Sequence, residues 1–415
     1  MGGLRTALTR SQEDTMPNNS LTASKGFKVA AVKAGIKASG NIDLGLIVAD
    51  RRCNAAGVFS TNKIVSPTVT VSKAHIRSGY ARAVYVNAGN ANSCTGRRGH
   101  QDVLTICGQV ATALAIKPEE VLVCSTGIIG EFLPMNKVRD GIARSLCKLT
   151  ASEKMGRDLA RAIMTTDTRP KQAIRRIRLG GKTVTVAGIA KGAGMIDPNM
   201  ATMLAFVTTD AAISSALLRR ALKQAVAASF NKLSIDRHSS TNDSVLILAS
   251  GLAENQPITK ADVAYRKFAR ALQELCDDLT QQLAADAEGG NCVVKVTVQG
   301  AASQADGRKA VRAIVDSPLV RSAFHGADPN WGRIVSAIGF SEVKFKEEKL
   351  TCRIAGTIVY RNGRPVKFDA RTLSQKMKGK SWAVVVDLGA GTQSDFCYTS
   401  DLSEEYITIN ADYHT

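Results

Sequence analysis

Gly188-Ile189-Ala190-Lys191-Gly192-Ala193-Gly194-Met195-Ile196-Asp197-Pro198-Asn199-Met200-Ala201-Thr202-Met203-Leu204-Ala205-Phe206 is the run of this 415-residue chain that decides how the rest is read. A glycine-rich loop and an Asp-Pro-Asn turn deliver the backbone to a small residue, then to Thr202, then at once to an apolar strand. Lys191-Gly192-Ala193-Gly194 invites comparison with a phosphate loop, but the Gly-Lys-Ser/Thr ending of that loop is missing, as is the third glycine of the dinucleotide fingerprint. A different chemistry suits these residues. Small residues leave the Ala201–Thr202 peptide open to attack and let the backbone bend. The Thr202 hydroxyl can attack the preceding carbonyl, and the resulting ester can hydrolyse. The new chain end then carries an α-amine beside its own hydroxyl. Free α-amines titrate at about 8, so this amine can act as the general base that a weakly nucleophilic threonine needs. A threonine opening a buried strand ordinarily does no more than satisfy the backbone, so the residues around it must carry the reading.

Outward from this run, strands and helices mix. Val29–Val32, Leu44–Val48, Ala83–Val86, Val121–Cys124, Thr183–Val186, Val245–Leu248, Val293–Val298, Ala383–Val386 and Ile407–Ile409 read as strands. Asn87–Gly96, dense in Asn and Gly, reads as a loop followed by a helix through Val103 to Ala115. Ser152 and Ser214 are positioned to cap helices over Glu153–Met164 and up to about Asn231, and Thr259–Asp262 resembles a capping box that opens a helix to about Ala285. No strict βαβ rhythm appears. The fold class predicted is a layered α+β sandwich rather than a doubly wound parallel sheet. Met1–Ser24 is polar and aperiodic and reads as a flexible arm, with Met16 an alternative start.

Composition narrows the function classes. No run approaches the ~18 apolar residues of a membrane span, which points to a soluble protein without a membrane partner. Nine cysteines without a CxxC pair, several inside apolar runs, read as buried reduced thiols in a cytoplasmic protein. The five histidines show no metal-ligand spacing, so no zinc site is expected. The net charge of +19 is uneven: residues 1–201 hold 29 Lys and Arg against 13 Asp and Glu, and residues 202–415 hold 26 against 23. A nucleic-acid surface is one reading of that excess. The basic residues are scattered, however, and aromatics make up only 5% of the chain, so no stacking platform is visible and no nucleic-acid partner is expected. A field that draws in anionic substrates accounts for the charge equally well.

The run Lys191–Phe206 resembles the cleavage segment of the ornithine acetyltransferases of arginine biosynthesis. The resemblance extends from about Lys25 to the end of the chain. It is carried by Asn87–Gly96, Cys124-Ser125-Thr126-Gly127-Ile128-Ile129-Gly130, Met164-Thr165-Thr166-Asp167-Thr168, Ser317–Val320, His325–Arg333 and Tyr406–Thr415. Several long motifs in the right order make this a specific signal.

The resemblance implies a cut at Ala201–Thr202 into an α chain ending at 201 and a β chain of 202–415, with Thr202 as the acyl acceptor. It implies Thr126 and Gly127 as the oxyanion-hole pair, and Thr165, Lys191, Thr202, Glu288, Asn410 and Thr415 as substrate-binding residues. Lys191 would pair the substrate carboxylate and Glu288 its side-chain ammonium, while apolar Ile407 and Ile409 would dock the chain end. The implied reaction is ping-pong: N-acetylornithine acetylates Thr202, and glutamate then takes the acetyl group. Some members also accept acetyl-CoA, and the implied assembly is an α2β2 heterotetramer. A self-cleaving hydrolase or aminopeptidase of the same fold is the alternative, as is a paralogue with another substrate. Two departures stand out. Arg237-His238 replaces the family's usual Gly-Asp, and Gly290-Asn291-Cys292 after Glu288-Gly289 replaces Ala-Thr-Lys.

Overall fold

The computed structural model describes residues 18–197 and 203–412. Eight strands form the first sheet: β1 (Phe27–Val32), β2 (Leu44–Phe59), β3 (Tyr80–Asn90), β4 (Val121–Ile128), β5 (Lys171–Leu179), β6 (Lys182–Lys191), β7 (Leu204–Thr209) and β8 (Ser244–Ala249). They pair in the order β4-β3-β2-β8-β7-β6-β5, with β1 lying along the first part of β2. The 16 residues of β2 turn the sheet. Leu44–Ala49 pair with β1, Asn54–Phe59 pair with β8, and the register against β3 breaks between Val48 and Cys53. A break of this kind bends a strand and raises its twist.

Because of that bend, the two ends of the sheet face each other. In β7, Leu204 and Phe206 enter one core and Ala205 and Val207 another; β8 divides likewise, Leu246 and Leu248 against Val245 and Ile247. The core shared by Leu204, Phe206 and Leu246 also holds Phe27, Val29, Ile47, Val84, Val86 and Leu122 from β1–β4. Helices α1 (Pro67–His75), α2 (Gly96–Leu114) and α3 (Met135–Leu146) cover the outer face of β1–β4, and Leu159 of α4 (Glu153–Ala162) enters the inner core. Helices α5 (Ser215–Ala228) and α6 (Val263–Ala284) cover the outer face of β6–β8 through Leu218, Leu222, Leu272 and Leu275. The result is a helix–sheet–sheet–helix stack, the layered α+β sandwich predicted from the sequence. Every residue of β7 and of β8 is buried, so these strands read as continuous apolar runs without alternation. Each fully buried Leu or Phe contributes about 1.5–3 kcal/mol.

A second sheet follows, built from β9 (Val293–Ala301), β10 (Thr351–Ile354), β11 (Thr357–Arg361), β12 (Arg364–Pro365), β13 (Ser381–Asp387) and β14 (Gln393–Ser400) in the order β12-β11-β10-β13-β9-β14. Helices α7 (Gln304–Val315), α8 (Pro318–His325), α9 (Trp331–Gly339) and α10 (Ala370–Met377) share its core. The described chain ends in α11 (Glu404–Asp412).

Several local expectations are corrected. Ile407–Ile409 lies in α11 and is no strand; the helix buries no residue and Ile407 is 64% exposed, so apolar docking does not hold it. The helix expected after Gly96, through Val103 to Ala115, is present as α2, but the Asn-rich segment before it is strand as far as Asn90, where the Asn87 side chain donates to the Asn90 carbonyl and the Asn90 side chain to the Glu131 carbonyl. The cap of α6 is Asp262, whose carboxylate accepts the Tyr265 N–H, rather than Thr259. Residues 18–24, read as part of the flexible arm, pack on the sheet: Leu21 is fully buried and the Ser24 hydroxyl donates to the Thr208 carbonyl. Residues 1–17 lie outside the described residues. All nine cysteines are free, but Cys94 and Cys147 are exposed rather than buried. Among the described residues no helix is long and apolar enough to cross a membrane.

Candidate active site

Thr126, Gly127, Thr165, Lys191, Glu288 and Asn410, far apart in sequence, line one cleft. Ala91, Gly194, Met195, Ser240, Thr241 and Asn242 complete much of its wall. Ala201, Thr202 and Thr415 lie outside the described residues. The residue after Thr202 is placed: the Met203 N–H donates to Asp243 Oδ1 at 3.0 Å, and the Met203 carbonyl accepts the Ser244 N–H at 3.1 Å. Met195 and Ile196 are pinned by Asp236, whose carboxylate accepts both of their N–H groups.

Thr126 and Gly127 sit within the C-terminal end of β4, not after the strand as the sequence suggested. Gly127 has φ +129, and a Cβ there would overlap the backbone of Gly89 and Asn90 on the paired strand. Only glycine lets the chain pass so close. Asn242 binds this edge to the start of β8, donating from Nδ2 to the carbonyls of Ala91 (2.6 Å) and Ser125 (2.9 Å).

Lys191, the final residue of β6, is 2% exposed, and its ammonium lies 3.3 Å from Thr126 Oγ1. Burial pushes its pKa down; the carboxylates of Asp167, Glu288 and Asp243 oppose that, and the Lys171 charge adds to it. Asp167 is the organiser of this corner. Its oxygens accept the Gly192 N–H at 2.7 Å, the Thr165 N–H at 3.0 Å and the Lys171 ammonium. Burial works against its charge, but the Lys191 and Lys171 ammoniums outweigh that and hold its carboxyl at about 2. Lys171 also bonds Asp286, which in turn accepts from Thr168. Thr165 and Lys191 are thus set by a fully buried Asp–Lys–Asp bridge.

Glu288 follows α6. Its N–H donates to the Ala193 carbonyl at 3.0 Å, and its carboxylate rests against Gly194, where a Cβ would overlap it. Asn410 on α11 donates from Nδ2 to Glu288 Oε2 at 2.9 Å. A polar contact, not an apolar one, brings the C-terminal helix to the cleft.

Neither departure lines the cleft. Arg237 has φ +63, a conformation that suits glycine. Its guanidinium, 3.9 Å from Asp316, is exposed, as is His238. In the second departure, Asn291 and Cys292 donate backbone N–H groups to Asp401 Oδ1 at 2.7 and 3.1 Å, and His325 Nδ1 lies 2.9 Å from Asp401 Oδ2. These contacts satisfy the Asp401 carboxylate.

With the geometry in hand, the family profile described as ArgJ matches residues 28–415. The chain belongs to the ArgJ family. The "arginine biosynthesis bifunctional protein ArgJ" of Symbiobacterium thermophilum is 43% identical over 397 residues, covering 95% of this chain and 98% of that protein. The ArgJ protein of Lactococcus lactis is 41% identical over 393 residues, at 95% and 98% coverage. A crystal structure of ArgJ from Bacillus halodurans is 36% identical, covers 50% of this chain and 98% of its own, and has a TM-score of 0.49. The ArgJ relationship accounts for the motifs that suggested the cleft. Asp167, Lys171, Asp286, Asn242, Asp236 and Asp243 were not singled out from sequence. Asp167 stood in the quoted run Thr165–Thr168, yet nothing in one chain marks a buried bridge between residues 115 apart.

Proposed function

We propose that this chain is an acetyltransferase of arginine biosynthesis. It cuts itself between Ala201 and Thr202, and the α-amine and hydroxyl of Thr202 then carry an acetyl group from N-acetylornithine to glutamate. The observation that carries the reading is the meeting of Thr126, Gly127, Thr165, Lys191, Glu288 and Asn410 in one cleft. The names of the close relatives support the pathway.

The chemistry follows from the contacts. Lys191 donates to Thr126 Oγ1, which leaves the threonine O–H free to point at an acyl oxygen. With the Gly127 N–H it forms the oxyanion hole, and fixed donors of this kind act without reorganising during the reaction. The remaining N–H bonds of Lys191 take the substrate carboxylate, and Glu288, steadied by Asn410, takes the ornithine side-chain ammonium. Thr165 and Thr415 complete the binding set. The Thr202 amine takes the hydroxyl proton as the acetyl ester forms and returns it to the leaving amine; glutamate then reverses the sequence. Acetyl-CoA serves as a second acetyl source. The reaction needs no metal or organic cofactor, since a base, a nucleophile and oriented donors suffice. The pieces assemble as α2β2 in the cytoplasm.

The test is label transfer. With N-[acetyl-14C]acetylornithine, labelled N-acetylglutamate should form with the parallel-line kinetics of a ping-pong reaction. Labelled acetate at a rate independent of glutamate would replace this reading with that of a hydrolase.

A further inference from the structure

Helix α11 brings Asn410 to Glu288 although it buries no residue of its own. Its place is therefore set at its root, the segment from Ser400 to Glu404. Arg321 of α8, itself buried, donates to the Ser400 carbonyl at 2.9 Å and to the Asp401 carbonyl at 3.2 Å. The Ser403 hydroxyl donates to the carbonyl of Gly289, the residue after Glu288, at 2.6 Å. At the centre stands the buried Asp401 carboxylate. Its Oδ1 accepts the Asn291 and Cys292 N–H groups, and its Oδ2 accepts the Asn291 side chain at 3.0 Å and meets His325 Nδ1 at 2.9 Å. Burial works against this charge, but the bonds from Asn291 and His325 outweigh it and hold the carboxyl below its ordinary range. The other ring nitrogen of His325 lies 3.3 Å from Glu404, the first residue of α11. Glu404 is exposed, so that contact is screened and the buried Asp401 bond does most of the holding.

We propose that His325 is a positioning residue for the substrate amine: by bonding Asp401 at the root of α11 it fixes the angle of that helix, and so holds Asn410 against the Glu288 carboxylate. This rests on the reading of Glu288 as the site of the ornithine side-chain ammonium. The tolerance is small. Asn410 stands six residues beyond Glu404, about 9 Å along the helix, so a tilt of about 10° at the root moves it by roughly 1.5 Å. A hydrogen bond of 2.9 Å does not survive such a shift. Glu288 would keep its charge and lose its direction. His325 is not among the residues that line the cleft, so its effect falls on binding of the amine and not on the chemical step. The arrangement also gives work to two stretches of sequence that the cleft leaves aside: the His325–Arg333 run and the departure at Asn291-Cys292.

Steady-state kinetics of the full enzyme tests this with His325→Ala, Asn410→Ala and the two combined. His325→Ala should raise the KM for N-acetylornithine about 5–10-fold, the size of one ordinary hydrogen bond, with kcat and the KM for glutamate little changed. The double variant should be no worse than Asn410→Ala alone, because the imidazole acts through that side chain. A wild-type KM in His325→Ala, a loss confined to kcat, or effects that add in the double variant overturn the proposal and leave the Glu288 reading standing. Glu288→Gln with an unchanged KM overturns both. If His325→Ala does not fold, two conservative variants decide. His325→Asn carries an amide nitrogen where Nδ1 stands, keeps the Asp401 bond and should keep the KM near wild type. His325→Gln reaches toward the Nε2 position instead, loses that bond and should raise the KM. Equal KM values for these two overturn the proposal.

Discussion

The Lys191 ammonium lies 3.3 Å from the Thr126 hydroxyl oxygen, both groups buried at the point where the ends of β4 and β6 converge. A lysine in that position cannot accept a hydrogen bond, so the threonine must be the acceptor and its own proton is free to be donated elsewhere. Thr126→Ala removes that donor. The expected fall in kcat is about 10²–10³-fold, with the KM for N-acetylornithine little changed, whereas Thr126→Ser retains most of the rate. Steady-state kinetics on the processed enzyme checks the split.

Gly194→Ala places a methyl group where the Glu288 carboxylate now lies. The carboxylate must swing out and lose its alignment with Asn410. Hydrogen bonds to charged groups contribute about 1.5–3 kcal/mol, so the KM for N-acetylornithine should rise about 10–100-fold, and Glu288→Gln should match it. Equal KM values for Gly194→Ala and wild type would remove Glu288 from the binding role.

Lys171→Met strands the two buried carboxylates of Asp167 and Asp286. Removing one partner of a buried ion pair costs about 3–5 kcal/mol. Urea unfolding should show a loss of that size, and activity should fall with it, because Asp167 also fixes Thr165 and Gly192.

Acid should act through the same bridge. The folded state holds the Asp167 carboxyl at about 2, below its ordinary 3.8. Its contribution to stability is therefore complete above the unfolded value and is lost as pH falls through the folded one. Denaturant melts taken between pH 5 and 2 should show wild type losing about 2 kcal/mol more from this group than Asp167→Asn does. Identical pH slopes would contradict the assignment.

The motif around Thr202 and the resemblance it opened led to six described residues that the fold brings together, and apolar patterning marked most of the strands. What stayed hidden has physical causes. β7 and β8 are buried on both faces and show no period, so their neighbours could not be read from them. Ile407 and Ile409 looked like a strand because β-branched residues alternate there, but a helix carries them at the surface, and Asn410 does the anchoring. The Asp167–Lys171–Asp286 bridge and the grip of Asp243 on Met203 are long-range pairings that no local pattern encodes.

The central claim is that Thr202 carries the acetyl group at the head of a new chain. Intact-mass spectrometry of the purified protein, with and without N-acetylornithine, tests it most directly. Two fragments divided at Ala201–Thr202 are predicted, the C-terminal one gaining the mass of a single acetyl group with substrate, while Thr202→Ala stays whole and unmodified. A single uncut wild-type chain, or an acetyl group found on the N-terminal fragment, would contradict the account.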